Sequence, residues 1–326
     1  MNRTLAFTTA ALVASVTTSG LANAQDRSGW PDNFTVGTAS QGGTYFAYGS
    51  GWANFVAENL DVSGGAEITG GPVQNMALVH TGDVGFGLTT MGPAREALEG
   101  NSPLAPGMKM DNVCAMFPMY QTPFSVTALK DSGITSISEI PDGSTIGFGP
   151  SGSTSDSYFP RMMGTLGVEY ERRNGSWSDL GAQLQDGLID VVAFAAGIPI
   201  PAVSQLEVQT DINIIEFTEE EMEKITAEFP VSEFTIPAST YSSLEEPARA
   251  VSMWNFAIAN CDLPESFVYE VTKLTMENND KMMSIHKAAR STVPENVDKN
   301  TVLPFHPGAA RWFNENGHEI EDSMIK

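Results

Sequence analysis

The chain reads as an α/β protein with mainly parallel sheets in two similar lobes, and three observations carry that reading. Strand-like and helix-like segments alternate along the whole length, the pattern that buries parallel strands beneath helices. With 326 residues the chain is long enough for two lobes with large cores. One construction also occurs twice: an apolar strand, a loop of Gly, Ser and Thr, a helix, then a turn containing Asp that leads into another buried strand.

The first copy runs Phe34-Thr35-Val36-Gly37-Thr38-Ala39-Ser40-Gln41-Gly42-Gly43-Thr44-Tyr45 and closes with Gly82-Asp83-Val84-Gly85-Phe86-Gly87-Leu88. The second runs Thr145-Ile146-Gly147-Phe148-Gly149-Pro150-Ser151-Gly152-Ser153-Thr154 and closes with Gly187-Leu188-Ile189-Asp190-Val191-Val192-Ala193-Phe194. Gly42 to Asp83 is 83 − 42 = 41 positions and Ser153 to Asp190 is 190 − 153 = 37, so the copies share nearly one pitch.

The elements follow in order. Residues 1–24 read as an export segment: Arg3 supplies the positive start, residues 5–16 are apolar or small, and Ala22-Asn23-Ala24 is an A-x-A cleavage site. A helix is expected over 45–60 with Trp52, Phe55 and Val56 available for burial, and Pro72 suits the first position of the next helix, which stops at Gly82. Residues 113–129 form a β-rich stretch broken by Pro118 and Pro123, placed as a crossing between lobes. The second lobe brings a strand over 145–148, a helix after Ser155 that starts late or kinks at Pro160, and strands over 190–195 and 212–217. Thr218 caps an acidic helix, 251–259 returns as a strand, and 264–278 and 280–290 are amphipathic helices. The expected division is 1–24 export segment, 25–121 lobe I, 122–249 lobe II and 250–326 lobe I again.

The formal net charge is −23, and removing residues 1–24 removes one Arg and no acid, giving 16 − 40 = −24. Such a field excludes nucleic acid and anionic lipid as partners. Its plain reading is solubility or adaptation to salt, beside which stands an acidic docking face for a basic partner. Cys114 and Cys261 lie in apolar segments where buried free thiols are common, so a bridge is the less favoured reading. The four His residues have no metal-ligand spacing, no metal or cofactor is expected, and no P-loop, Gly-Xaa-Ser-Xaa-Gly elbow or dinucleotide fingerprint occurs.

Helix N-termini leave N–H groups unpaired and favour negative charge, so glycine-rich loops at such points suit carboxylates or phosphates. Three loops qualify: Ser40 with Gln41, Gly42, Gly43, Thr44 and Tyr45; Gly70-Gly71 with Asn75; and Ser151 with Ser153, Thr154 and Ser155. Gly197 and Pro199 follow a strand end, the usual ligand position in open α/β sheets, and Thr89 completes the set. Each single loop has a plain alternative as ordinary helix capping; recurrence in both halves favours a site. A serine hydrolase built on Ser153 and Asp156 is the rival, and it requires a histidine that these loops lack.

At these residues the chain resembles the TAXI-type solute-binding subunits of tripartite ATP-independent periplasmic (TRAP) transporters. The resemblance rests on Gly37-Thr38, Gly42-Gly43-Thr44-Tyr45-Phe46, Gly70-Gly71 with Asn75, Ser151-Gly152-Ser153-Thr154 and the stretch 238–241. Its most specific element is Leu303-Pro304-Phe305-His306-Pro307-Gly308-Ala309-Ala310-Arg311-Trp312-Phe313. It implies a two-lobed type II periplasmic-binding-protein fold with a hinge. It also implies a monomeric, non-enzymatic periplasmic receptor that passes a small carboxylated solute, such as glutamate, glutamine or a 2-oxoglutarate-like compound, to membrane permease subunits. A receptor for an ABC importer or a sensor kinase would share the fold. Pro72-Val73-Gln74 and Thr89-Thr90-Met91 depart from the pattern, so the solute is not carried over with the fold. His306 is expected to fix the C-terminal segment rather than to bind solute.

Overall fold

The repeated unit becomes two matching arms of one sheet. The computed structural model describes residues 27–326, so the export segment expected over residues 1–24 lies outside the described residues. In the first arm β1 (Asn33–Gly37), α1 (Thr44–Leu60), β2 (Ser63–Glu67), α2 (Pro72–Thr81) and β3 (Phe86–Thr90) alternate, and the three strands are parallel. Val36 stands beside Ala66 on one side and Phe86 on the other. Then α3 (Met91–Glu99) leads to the long β4 (Val113–Leu129), which carries the chain out of this arm.

The second arm repeats the plan with β5 (Ser144–Gly147), α4 (Thr154–Leu166), β6 (Tyr170–Arg173), α5 (Trp177–Gln185) and β7 (Val191–Ala195). Here Ile146 takes the place of Val36, between Arg172 and Val191. After α6 (Pro201–Gln209), β8 (Ile212–Ile215), α7 (Glu219–Glu228) and β9 (Ser232–Ile236), the long β10 (Ala248–Asn260) brings the chain back. The helices α8 (Glu265–Met276), α9 (Asn279–Ile285) and α10 (Pro307–Glu315) follow. The strand order is β2-β1-β3-β10-β4-β7-β5-β6, with β8 on β4 and β9 on β10. Each arm is therefore a parallel triplet edged by one of two antiparallel strands, and β4 and β10 join the arms by pairing with each other.

Two apolar cores flank this join. One gathers Trp52, Phe86, Phe117, Phe256 and Phe267; the other gathers Phe124, Phe148, Phe159 and Phe194. The change from one core to the other falls between Tyr120 and Phe124 on β4 and between Met253 and Phe256 on β10. Each large side chain so buried contributes about 1.5–3 kcal/mol. Trp52 keeps its indole polar group satisfied by donating to Thr275 Oγ1 at 3.0 Å.

Three expectations are corrected. Pro118 and Pro123 do not break β4, which runs unbroken over 17 residues. Pro118 lies opposite Phe256 of β10, before β7 joins the other side of β4 at Phe124, so its missing N–H removes no ladder bond there. Pro160 likewise sits inside a continuous α4; the carbonyl it leaves unpaired, that of Asp156, accepts from Arg172 Nη2 at 3.4 Å. Finally, Cys114 and Cys261 are bridged, because the antiparallel β4–β10 ladder brings their Cα atoms to 5.3 Å across a sequence separation of 147.

His306 fixes the C-terminal segment, as expected. Its Nδ1 accepts from Gly308 N at 3.1 Å and so caps α10, while Nε2–H donates to the Leu263 carbonyl at 3.0 Å. Burial pushes its pKa down to about 4, so the ring is neutral at pH 7.

Candidate functional site

The loops singled out in the two copies meet across the join between the arms. Gly43 is the N-cap of α1 and offers no side-chain cap, so the first N–H groups of that helix have no local acceptor. At the facing end, Ser153 caps α4 and accepts from Asp156 N at 3.1 Å. Both helix dipoles place their positive ends at the join.

The arms are clasped here by main-chain bonds. Val73 N donates to Gly152 O at 3.1 Å and Ala202 N donates to Gly42 O at 3.0 Å. Ser178 N reaches Gln41 O at 3.4 Å, and Thr44 Oγ1 donates to Gly197 O. Such approach requires glycine: a Cβ on Gly43 would stand 2.7 Å from Trp177 Cδ1, and one on Gly70 would stand 2.2 Å from Ser151 O.

Between the helix ends lies a cavity of ≈ 20 Å³, lined from one arm by Thr44, Tyr45 and Thr90 and from the other by Ser153, Thr154 and Trp177. Its floor is a buried polar network. Tyr45 Oη donates to Asn255 Oδ1 at 2.6 Å, Thr90 Oγ1 donates to the same oxygen at 2.9 Å, and Thr122 Oγ1 stands 3.0 Å from it. Asn255 Nδ2 donates to Tyr120 O at 2.6 Å, and Thr90 Oγ1 meets Thr154 Oγ1 at 2.8 Å across the join. Burial holds the Tyr45 phenol far above its ordinary range, so it stays a neutral donor. The cavity thus sets the uncapped N-terminus of α1 beside neutral hydroxyl and phenol groups whose protons are held within the network, and the open main-chain donors are what suits an anion.

The structure brings together many of the residues singled out in the sequence. Gly43, Thr44, Tyr45, Ser153 and Thr154 line the cavity. Ser40 is buried beside them, its Oγ accepting from Trp177 N at 3.4 Å, and Ser155 is buried with its hydroxyl donated to Ala193 O. Gln41 and Ser151 are exposed and take part through their main chains. Gly42 and Gly197 supply the carbonyls of the clasp.

Three other residues lie apart from the cavity lining. Asn75 works within the first arm: Nδ2 donates to Thr38 O and Leu88 O, both at 2.8 Å, and Oδ1 accepts from Thr69, which ties α2 to β1 and β3. Thr89 is buried one position before Thr90, and strand alternation gives the cavity Thr90 instead. Pro199 lines a different cavity.

Sequence reading missed Asn255, Thr90, Thr122 and Trp177. A signal existed for Asn255, the single amide within an apolar run. It lies at a register irregularity of β10 against β4, between Trp254 and Phe256, a feature that re-aims a side chain. Ser153 Oγ has no histidine among its described partners; it caps the helix and donates to Phe148 O at 3.3 Å.

The arrangement is similar to solved structures. A periplasmic binding protein, BugD, aligns at TM-score 0.58 with 14% identity, over 90% of this chain and 100% of that one. A "periplasmic transporter" aligns at 0.54 with 11% identity, covering 87% and 92%. Rpa4515 of R. palustris, solved with adipate, aligns at 0.52 with 18% identity, covering 78% and 83%. These likenesses show the fold, a mixed α/β sheet flanked by helices as in periplasmic binding proteins. The NMT1-like family model matches residues 36–317, most of the chain, and the protein therefore belongs to the NMT1-like family.

Proposed function

We propose that the chain is an extracytoplasmic solute receptor of the TRAP type, which holds a small carboxylated solute between two lobes and hands it to a membrane permease. The lobes of this reading are residues 25–121 with 250–326, and 122–249; the two apolar cores support a division of this kind, although Ala250, Val251 and Met253 pack in the second core. The carrying observation is the donor-lined cavity at the join, with contributions from α1 and α4 and no acid among its lining residues. At ≈ 20 Å³ it has room for about one water, so a solute enters when the arms part and is enclosed when they close. Differential contact with the closed form then drives closure, and the permease reads that form.

A carboxylate would meet the N–H groups of Thr44 and Tyr45 on one side and the hydroxyl of Thr154 on the other. Tyr45 excludes water, its neutral phenol held in place by its bond to Asn255 Oδ1. The solutes that suit such a site are glutamate, glutamine and 2-oxoglutarate-like compounds. The export segment expected over residues 1–24 would deliver the chain to the periplasm, and among the described residues no helix is long and apolar enough to cross a membrane.

Calorimetry on the purified protein with glutamate, glutamine and 2-oxoglutarate tests this reading. One of them should bind, and Thr44→Val with Thr154→Val should weaken it at least about tenfold, because it removes the Thr154 hydroxyl that meets the carboxylate and the Thr44 Oγ1 bond to Gly197 O that holds the arms together. If whichever of these three solutes binds wild type binds that double variant equally well, the assignment is overturned.

A further inference from the structure

A second cavity, of ≈ 340 Å³, opens on another face of the join and shares no lining residue with the first. Its volume is in the range of small-molecule sites. Lys287 and Arg290 line one wall, and no aspartate or glutamate is among its lining residues, although the chain carries 40 acids against 17 bases. Neither cation makes an ion pair among the described residues.

The two cations are placed by local geometry. They lie on a short 3-10 helix, Lys287–Ser291, where side chains three apart eclipse, so both leave the helix on one side. That helix is pinned in place. Asn279 Nδ2 donates to Ala289 O at 2.7 Å and to Thr292 O at 3.0 Å, while Thr292 Oγ1 donates to Met119 O at 2.9 Å. Across from it, Ile198, Pro199 and Phe234 form an apolar wall. Ser239 and Thr240 add hydroxyls whose side chains make no hydrogen bond among the described residues. Tyr120 also lines the cavity, and its buried hydroxyl has no hydrogen-bond partner among the described residues.

We propose that this cavity is a second ligand site, which takes a small dicarboxylate: Lys287 and Arg290 meet its two charges, and the apolar wall covers its carbon chain. Lys287 and Arg290 extend from a helix whose Ala288 and Ala289 are in the first core, whereas Ile198 and Phe234 pack on the second. An occupant therefore touches both arms and favours the conformation in which the walls face each other.

The site is tested by titrating succinate into the purified wild-type protein, Lys287→Gln with Arg290→Gln, and Thr44→Val with Thr154→Val, with thermal melts to confirm that each is folded. The proposal expects succinate to bind wild type with an affinity that falls as salt rises. It expects at least tenfold weaker binding in the Lys287→Gln, Arg290→Gln pair and unchanged binding in the threonine pair. Succinate binding that survives loss of both cations overturns it, as does absence of succinate binding to folded wild type or equal affinity for inorganic phosphate. Loss of succinate binding in the threonine pair alone assigns the dicarboxylate to the first cavity and also overturns it, while leaving the proposed receptor function standing.

Discussion

The two arms share one plan of strands and helices but are finished by different means. In the first arm α1 and α2 begin at Gly43 and Gly71, and α3 begins at Thr90; none has a side-chain cap. In the second, Ser153 caps α4, Ser176 caps α5 and Thr218 forms a capping box with Glu221 at α7, and only α6, which follows Ile200 and opens on Pro201, has no side-chain cap. The first arm instead has a covalent staple, Cys114–Cys261, and a C-terminal segment lashed down by His306. Side-chain caps satisfy helix ends locally and rigidify them, whereas glycine caps leave donors for whatever arrives at the join. The arm that leaves its helix ends open is the one held by a crosslink.

Removing the staple is the strongest way to break this comparison. Replacing Cys114 and Cys261 with Ala should cost about 4 kcal/mol, the usual contribution for a bridge closing a long loop. Hydrogen exchange should show the loss in β3 and β10 before β5 and β7. Equal loss of protection in both arms would mean that the staple does not serve the first arm in particular. Asn255→Leu comes next, because it strips the shared acceptor from Tyr45 and Thr90 and leaves buried hydroxyls unpaired, at about 1–3 kcal/mol. Urea unfolding reads this, and combining it with Tyr45→Phe should recover part of the loss; strict additivity would show that the two side chains are not coupled.

Acid should loosen the first arm through His306. Its folded pKa, about 4, lies below the ordinary value of 6.5, so the unfolded chain binds the proton more readily. Stability is present above pH 6.5 and is lost as pH falls toward 4. His286, likewise lowered to about 4 by burial, adds to the same slope. Thermal melts from pH 7 to pH 4 should fall by several degrees, less steeply in His306→Gln, and identical slopes would remove His306 as the cause.

The repeat was legible because glycine loops and buried strands are encoded in short runs that need no knowledge of the partner segment. The edge strands were not. Ser63-Gly64-Gly65-Ala66-Glu67 and Tyr170-Glu171-Arg172-Arg173 are largely solvent-facing and lack apolar alternation, so only their pairing with β1 and β5 makes them strands. Of the cavity, the half contributed by helix ends was readable, since capping chemistry is local. Asn255, Thr90, Thr122 and Trp177 reach it through the fold, from strands and from the start of α5, whose short Gly175-Ser176 lead does not repeat the longer loops of the two copies. The disulfide failed for the same reason: only the β4–β10 register brings together residues so far apart in sequence.

The smallest expected effect separates the two kinds of helix end most cleanly. Ser153→Ala deletes the hydroxyl that accepts from Asp156 N and should cost about 1 kcal/mol of stability, the usual worth of a side-chain cap. Gly43→Ala adds a Cβ where Trp177 Cδ1 stands 2.7 Å away, so its effect depends on whether the arms are together. In the open form that methyl meets no indole; in the closed form Trp177 must shift. Stability should therefore change little in Gly43→Ala under conditions that hold the arms apart, while the affinity for the carboxylate falls. Ser153→Ala should instead lower stability in both forms. Paired urea melts with and without the carboxylate distinguish these patterns, and a Gly43→Ala variant that binds as tightly as wild type would show that the close approach at the join is not required for capture.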